Sequence, residues 1–373
     1  MRFPHAWLLI PGFALAILVA GCPGSQNNNS RTVTDLAGRE VAVPETVERV
    51  VAFGPGALRL VIYLDGTKRI VGIEDSEKRM VRNIYFRPYA ATLDEDFFNL
   101  PVIGPGGPGK LPDFEGLLLC KPDILVAVGI DVAQVDNIQS RTGVPVVCLS
   151  YGELGVWREE ARKSLVLLGE VLGREQRAEE INDYIESLRK DLAKRAQSSG
   201  PGEKPIAYFG GISFKGAHGL TSTQAGYPPG EMVNARNPAN KLRKAGHLFV
   251  DKEKILVWNP DIVFIDIGSK AVIEHNFAGN RDFYGLLNAA RNDKVFSLLP
   301  YNYYNTNIEI ALLNSFFIGK CLYPNAFEDI DMDTKAREIF DTFLGTAAGK
   351  PIPAYHVVRF PEQGPVVWEQ QNR

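Results

Sequence analysis

The stretch DFEGLLLCKPDI, residues 113–124, returns 138 positions later as DKEKILVWNPDI, residues 251–262. Asp, Glu, Leu, Pro, Asp and Ile stand at the same offsets in both copies, and a short apolar run follows each. An acidic start, a closing proline and an apolar run predict a short helix that leads into a buried parallel strand. Two such units, so far apart, indicate two similar α/β lobes, and a cleft between lobes is where small ligands bind.

Short apolar runs alternate with helical segments along most of the chain. The runs that we interpret as strands are 47–53, 69–73, 101–104, 124–128, 145–149, 205–210, 262–266 and 294–299. This alternation is typical of parallel, doubly wound sheets. The predicted fold class is therefore α/β.

Two helical runs, 158–172 and 175–195, separate the halves. The second is dense in Glu, Arg and Lys at three- and four-residue spacing, and it would be roughly 30 Å long. One long helix of this kind predicts a stiff connection between the lobes. The predicted divisions are an N-terminal lobe at 32–172, a connecting helix at 173–200, a C-terminal lobe at 201–349 and an extended tail at 350–373.

Composition limits the class of partner. The chain has 373 residues, of which 45% are hydrophobic, and a formal net charge of −3. This length suffices for two domains, and the nearly balanced charge argues against a nucleic-acid partner. Three cysteines lie beyond residue 22: Cys120, Cys148 and Cys321. Their spacing matches no zinc site, while a Cys120–Cys148 disulfide and buried free thiols are both compatible with the sequence.

The first 21 residues have the form of a secretory signal peptide. Arg2 precedes an apolar run at 7–19 that is too short, and too interrupted by Pro and Gly, for a membrane span. The ending LVAGC, residues 18–22, resembles a bacterial lipobox, which implies cleavage before Cys22 and a lipid on its thiol. The alternative is an ordinary signal peptide with an incidental cysteine. We expect an extracytoplasmic protein, anchored to the membrane by lipid, with a flexible tether at 22–31.

Further motifs complete a resemblance to a known family. They are TVTDLAGREVAVP at 32–44, RVVAFGP at 49–55 and the paired Glu and Pro-Asp elements of the repeat. With the lipobox, they resemble the iron-complex and cobalamin substrate-binding proteins of bacterial ABC importers, which are class III proteins with a helical backbone. The resemblance runs from about residue 32 to residue 345. It implies two Rossmann-like lobes with parallel sheets joined by one long α-helix, little closure on binding, no enzymatic activity and no cofactor.

The resemblance also implies a protein partner. In this family an acidic residue on each lobe docks onto arginines of the membrane permease, and the matching positions here are Glu115 and Glu253. The alternative is that each Glu stabilises the start of its helix, which is worth about 0.3–1 kcal/mol. Both roles are compatible, and we expect a monomer that meets an ABC permease.

A ligand is expected between the carboxyl ends of the two sheets. The Gly-rich turn at 210–219 exposes backbone N–H groups beside a lysine, which suits an anion, although a purely structural turn has the same composition. Residues 300–307 hold three Tyr and three Asn, which can stack on a planar ligand or, alternatively, pack on the core. The predicted ligand contacts are Arg59, Arg82, Arg87, Lys215, His218, Tyr301, Tyr303 and Tyr304.

The leading hypothesis is a solute-binding lipoprotein that captures a metal complex in the interlobe cleft and delivers it to an ABC permease. Ferric siderophores or other iron chelates come first, corrinoids second, molybdate or tungstate third and haem last. A lone His218, without a second ligand at metal-binding spacing, favours a preformed complex over a bare ion. The hypothesis of another class is an enzyme on the same architecture that modifies or hydrolyses a metal chelate, with His218 as its acid or base.

Overall fold

The computed structural model describes residues 30–79, 86–152, 157–198, 204–345 and 354–371. The predicted signal peptide, Cys22 and Arg82 lie outside these ranges. Within them, no helix is both long enough and apolar enough to cross a membrane.

The N-terminal lobe is built around a parallel sheet. Its described elements are β1 (Ser30–Thr34), β2 (Glu40–Pro44), β3 (Val50–Phe53), α1 (Ala57–Tyr63), β4 (Ile70–Gly72), α2 (Asp75–Arg79), α3 (Glu95–Phe98), α4 (Phe114–Cys120), β5 (Ile124–Val128), α5 (Val132–Thr142) and β6 (Val146–Leu149). The order is β4-β3-β5-β6, and all three pairings are parallel. Strands β3, β5 and β6 are buried at every residue, which explains their apolar sequences. The strand predicted at 101–104 is reduced to one bridge between Ile73 and Val102.

Two long helices follow, α6 (Trp157–Leu172) and α7 (Glu175–Ser198). Helix α7 has 24 residues, so it is about 36 Å long. At its start Arg177 donates to the carbonyl oxygens of Tyr63 and Thr342, and near its end Arg195 forms an ion pair with Asp329 at 2.6 Å. The face of α7 that packs inward carries Ala178, Ile181, Ile185, Leu188, Leu192 and Ala196. Helix α7 is thus bound to both lobes at its start and to the C-terminal lobe near its end.

The C-terminal lobe has a larger, mixed sheet. Its described elements are β7 (Ala207–Gly210), β8 (Ser222–Ala225), α8 (Pro228–Glu231), β9 (Gly246–Phe249), α9 (Lys252–Trp258), β10 (Ile262–Asp266), α10 (Lys270–Ala278), α11 (Arg281–Leu286), α12 (Asn288–Arg291), β11 (Val295–Leu298), α13 (Ile308–Leu322), α14 (Met332–Leu344), β12 (His356–Arg359) and β13 (Val367–Gln370). The strand order is β13-β12-β11-β10-β7-β8-β9. The central strands β11, β10 and β7 are parallel, and the outer strands pair antiparallel. The fold is therefore α/β, with two Rossmann-like lobes joined by one long helix, as predicted.

Both copies of the repeated motif adopt the same structure. Helices α4 and α9 each have seven residues and end at a left-handed residue, Lys121 or Asn259, with φ 45° in both cases. Each then leads into a central strand, β5 or β10. The second Asp of each copy, Asp123 or Asp261, accepts a 2.8 Å hydrogen bond from a backbone N–H just before the neighbouring strand. The second Asp thus has the same place in both copies, whereas the first Asp caps its helix with its side chain only in α4.

The prediction of an extended tail at 350–373 is corrected by the structure. Residues 354–371 contain the hairpin β12–β13, and β12 pairs antiparallel with β11. Four-residue strands whose outer faces are partly exposed carry almost no periodic signal, so the pattern was not visible in the sequence. The C-terminal segment therefore extends the sheet of the second lobe.

One apolar core joins the two lobes. The largest cluster in the described residues contains Val50 and Val126 from the first sheet, Ile181 from α7, and Phe264 and Ile318 from the second lobe. Relative motion of two domains is expected unless their interface is large and hydrophobic. The continuous core therefore opposes a wide hinge motion.

The three cysteines in the described part of the chain are free thiols. Cys120 and Cys148 are both buried and unbonded, and Cys321 is partly buried. Of the two alternatives left open by the sequence, the structure has the free thiols and not the Cys120–Cys148 disulfide.

Candidate functional site

A cavity of about 570 Å³ lies between the lobes. The loops that bound it include those that follow β3, β6, β7, β10 and β11, so it lies at the carboxyl ends of both sheets. Its volume is in the usual range for a small-molecule site. The described residues that line it are Pro55, Phe86, Pro108 and Gly152 from the first lobe, and Gly268 with segments 213–217 and 302–306 from the second.

The Gly-rich turn supplies one wall of the cavity. Its residues 213–217 are partly or fully exposed, and Phe214 donates its N–H to the carbonyl oxygen of Gly216 at 2.9 Å. Lys215 has a left-handed backbone, with φ 54°, and its side chain is exposed. Among the described lining residues, Lys215 is the only one with a charged side chain. This wall therefore carries the one positive side-chain charge among the described lining residues.

A buried carboxylate supports this turn from below. Asp266 ends β10, and its carboxylate accepts hydrogen bonds from the N–H groups of Gly268 at 2.8 Å and Ser213 at 3.5 Å. Burial raises the pKa of Asp266 to about 6. The side chain links two of the loops that line the cavity.

The opposite wall, segment 302–306, belongs to the second lobe in sequence but is held by the first. Arg59 in α1 donates to the carbonyl oxygens of Thr306 at 2.9 Å, Tyr303 at 3.1 Å and Tyr304 at 3.3 Å. The Arg59 side chain is fully buried. The structure thus places this predicted ligand contact beneath the cavity wall, where it positions the backbone of the wall.

Tyr304 and Glu74 connect the same wall to the first lobe. The Tyr304 hydroxyl donates to Glu74 at 2.7 Å and accepts from the N–H of Gly107 at 2.9 Å. Glu74 also accepts from the N–H of Gly54 at 2.9 Å. Gly54 has φ 85°, and a Cβ there would lie 2.2 Å from the carbonyl oxygen of Val128, so this close approach requires glycine.

Glu74 is a functional candidate that the sequence pattern did not select. Burial raises its pKa to about 7. A lone Glu after a short strand carries no motif, and only the folded structure shows that Tyr304, from the other lobe, reaches it.

The three predicted tyrosines have different environments. Tyr303 lines the cavity, with its ring 5.4 Å from that of Phe86, and Tyr304 also lines it. Tyr301 is buried, donates to Gln224 at 3.0 Å and packs edge-on against Tyr227. Of the two roles considered for these tyrosines, ligand stacking and core packing, Tyr301 therefore has the second.

Arg87 also lies below the surface. It is fully buried and forms an ion pair with Glu77, and its guanidinium lies 5.5 Å from the ring centroid of Tyr89. A ligand in the cavity does not reach such a side chain. Arg87 therefore stabilises the segment after α2 and does not line the site.

His218 lies beside the cavity in an aromatic cluster. Its Nε2 is 2.8 Å from the carbonyl oxygen of Phe214, and its ring is 6.1 Å from that of His247. His247, which the sequence pattern did not select, contacts Ser222 at 2.8 Å, and burial lowers its pKa. Within the described part of the chain, no group of three or more His, Cys, Asp or Glu is placed to hold a metal ion.

A larger groove, of about 760 Å³, lies between α6 and α7. The charged side chains of its lining include pairs on the helix surfaces, such as Arg162 with Glu159 at 3.0 Å and Arg189 with Glu186 at 2.7 Å. No strand end points to it. The interlobe cavity is therefore the better candidate for a ligand site.

The match with known families agrees with this architecture. A sequence model of the periplasmic binding protein family matches residues 50–301, and the chain belongs to this family. Its fold and relatives are those of substrate-binding proteins of ABC transporters, not of enzymes. Proteins of this family are extracytoplasmic, bind small molecules and deliver them to an ABC permease.

Two similar proteins span most of the chain. The molybdate-binding protein MolA of Haemophilus influenzae is 25% identical over 339 residues, which are 85% of this chain and 92% of MolA. The uncharacterized ABC transporter substrate-binding lipoprotein YvrC of Bacillus subtilis is 20% identical over 298 residues, 76% of this chain and 87% of YvrC.

Solved structures show the same fold. MolA bound to molybdate has a TM-score of 0.64 at 23% identity and covers 84% of this chain and 98% of its own. CeuE of Helicobacter pylori with Ni(II) bound has a TM-score of 0.61 at 18% identity and covers 84% of this chain and 96% of its own. At these identities the structural likeness concerns the fold alone.

The protonation of Glu74 predicts a pH dependence of stability. Its pKa of about 7 in the folded protein lies above the ordinary value of 4.5. Below pH 4.5 the carboxyl is protonated in both states, so its contribution to stability is complete there and is lost as the pH rises to 7. At about 1.4 kcal/mol per unit, the loss is on the order of 3 kcal/mol.

Glu74→Gln should remove this part of the pH dependence, so the variant should gain stability relative to the wild type between pH 4.5 and 7.5. Urea unfolding at several pH values measures it. Glu179→Gln, at an exposed position of α7, is the control and should follow the wild type. Parallel wild-type and Glu74→Gln profiles would contradict the assignment.

Proposed function

We propose that this protein captures a metal-containing anion in the interlobe cavity and delivers it to an ABC permease. The observation that supports this most directly is the cavity lining, in which Lys215 supplies the one charged side chain among the described residues. A cationic side chain in the lining favours a negatively charged ligand. The metal would arrive in its own complex, because the described residues offer no set of metal ligands.

An anionic iron chelate, such as a ferric siderophore, is the ligand class that we place first. The cavity volume of about 570 Å³ suits a molecule of drug-like size. The rings of Tyr303 and Phe86 provide an apolar surface for such a ligand to pack against.

Molybdate or tungstate is the second candidate, and a specific observation favours it. MolA, a molybdate-binding protein, is similar to this chain over 85% of the length. A small oxyanion would occupy only part of the cavity, so water would have to fill the remainder. The same lysine would serve either anion.

A ligand panel on wild type and Lys215→Gln tests the proposal. Ferric siderophores, cobalamin, haem, molybdate and tungstate are each added in a thermal-unfolding assay, where a ligand at 100 times its Kd adds about 2.7 kcal/mol of stability. We expect an anionic ligand to stabilise the wild type and Lys215→Gln to weaken it by at least about tenfold, a loss of roughly 1.4 kcal/mol.

Lys121→Gln is a matched control, because Lys121 is also an exposed lysine with a left-handed backbone and directly follows α4, outside the cavity. Its affinity should equal that of the wild type. Binding of molybdate or tungstate alone would select the second candidate. A neutral corrinoid bound equally by both variants, or no stabilisation by any compound, would overturn the proposal of an anion.

We further propose that Glu115 and Glu253 dock the protein onto the permease. Both side chains are exposed, and both lie in the first turn of equivalent helices, α4 and α9. In α4, the N–H of Asp113 bonds to Ile103, which places the helix start beside the loop that continues into the cavity wall. Carboxylates so placed can meet cations on two halves of a permease.

The double variant Glu115→Gln, Glu253→Gln should bind the reconstituted permease at least about tenfold more weakly, because two charge pairs are lost. Ligand affinity should stay unchanged, since neither residue lines the cavity. The measurement is surface plasmon resonance on permease in lipid nanodiscs at two salt concentrations. Wild-type affinity in the variant would refute the docking role.

The lipid anchor is a separate proposal, supported by the LVAGC sequence at 18–22. In a bacterial host the full chain should partition into the membrane fraction, and Cys22→Ala should move it to the soluble extracytoplasmic fraction. Membrane retention of Cys22→Ala would contradict lipidation at this cysteine.

We also propose that each chain acts as a monomer, because one chain supplies both walls of the cavity. A dimer detected by light scattering would contradict this.

A further inference from the structure

Two exposed aliphatic side chains occupy the same place in the two copies of the repeat. Leu119 is four residues after Glu115, and Val257 is four residues after Glu253. Leu119 is 75% exposed and Val257 is 83% exposed. These are the two most exposed large apolar side chains in the described part of the chain.

Single exposed aliphatic side chains are common and need no explanation by themselves. Here the two extremes of exposure fall at equivalent positions of one motif, in different lobes and with different amino acids. Two residues earlier in each helix, Leu117 and Ile255 face the core and are buried. Each helix therefore packs against its lobe without a contribution from Leu119 or Val257. The fold itself therefore gives no reason for these two apolar side chains.

Helix geometry places each of them next to its carboxylate. Residues four apart lie one above the other on one face of a helix. Both helices have seven residues and the same left-handed end, so the relation between Glu and aliphatic side chain is the same in both lobes. In α4 the apolar area extends to Leu118, at 53% exposure, on the neighbouring turn position.

We propose that Leu119 and Val257 are the apolar halves of a two-part docking contact with the permease. Each lobe would present a carboxylate and, one helical turn later, an aliphatic side chain. The complementary permease surface would offer each lobe one cation and, next to it, one apolar pocket. This inference rests on the proposed docking role of Glu115 and Glu253, and it adds the apolar partner of each charge.

The charges around the carboxylate differ between the two lobes. Lys254 follows Glu253 directly and is exposed, whereas Glu115 is flanked by Phe114 and Gly116. A neighbouring lysine weakens the attraction of a carboxylate for a permease cation. We therefore expect the aliphatic contact of Val257 at α9 to contribute a larger share of binding than that of Leu119 at α4.

The test compares four proteins on permease reconstituted in lipid nanodiscs. They are the wild type, Glu115→Gln with Glu253→Gln, Leu119→Gln with Val257→Gln, and a control pair, Leu286→Gln with Val166→Gln. The control residues are also exposed aliphatic side chains, at 56% and 48%, but lie on α11 and α6. Both chosen sites are solvent-exposed, so no variant removes a core side chain.

We expect the apolar pair to weaken permease binding by at least about tenfold at both low and high salt. The acidic pair should weaken it mainly at low salt, because salt screens charges and not apolar contacts. The control pair should bind like the wild type, and ligand affinity should be the same in all four. Wild-type permease affinity in the apolar pair would overturn the inference, even where the acidic pair has lost binding.

Failure of the underlying docking proposal has a different signature. If the acidic pair binds the permease normally, the docking role of the carboxylates is refuted, whatever the apolar pair does. Light scattering of the full chain tests whether a second copy of the protein, and not the permease, binds this surface. A dimer that Leu119→Gln with Val257→Gln dissociates, with permease binding unchanged, would assign the surface to self-association and overturn the inference.

Discussion

The cavity depends on the buried guanidinium of Arg59. This side chain belongs to α1 of the first lobe, and the carbonyl oxygens that it binds belong to the loop after β11 of the second. Since it is fully buried, its charge is compensated by carbonyl dipoles and by the nearby Glu309, and not by water. Removal of one partner would leave a buried polar group unpaired, which costs more than the hydrogen bond contributes. The wall that carries Tyr303 and Tyr304 is held in this way by the opposite lobe.

Two buried carboxyl groups lie beneath the cavity walls, and in their ionised form they would repel an anion. A raised pKa reduces this repulsion, because a protonated carboxyl is uncharged. Burial raises the pKa of Glu74 to about 7 and that of Asp266 to about 6. Near neutral pH part of their negative charge is therefore absent, and an anion bound above them would raise both pKa values further. Both carboxyls also tie loops together, so the same side chains position the walls and set the local potential.

The sequence predicted those parts of the fold that follow local rules. The repeated motif was recognisable because an acidic start, a closing Pro and an apolar run act over a dozen residues, and each copy forms the expected short helix and strand. Helix α7 was predicted nearly to its ends from its charge spacing. The hairpin β12–β13 was missed, because its strands are stabilised by pairing with β11 and not by a pattern of their own.

Prediction of the site was less complete, for a physical reason. Lys215, Tyr303 and Tyr304 lie on loops that line the cavity, and loops at strand ends are foreseeable from sequence. Their contact with a ligand stays a prediction. Arg59 and Tyr301 have amphipathic side chains that are equally suited to a cavity surface and to a satisfied interior. Only their partners, which are 77 or more positions away in sequence, decide between the two environments. Glu74 was invisible for the same reason, because its partner Tyr304 comes from the other lobe.

Charge and apolar area have different roles in a contact that must form and separate in each transport cycle. Charges on a rim accelerate association and fix orientation, but they contribute little lasting affinity in water. Apolar side chains contribute affinity in proportion to the area that they bury. Two carboxylates and two aliphatic side chains, set at equivalent places in two lobes, would therefore orient the protein on a roughly two-fold permease with a small buried area. Small interfaces are typical of transient complexes, so this composition allows the emptied protein to leave.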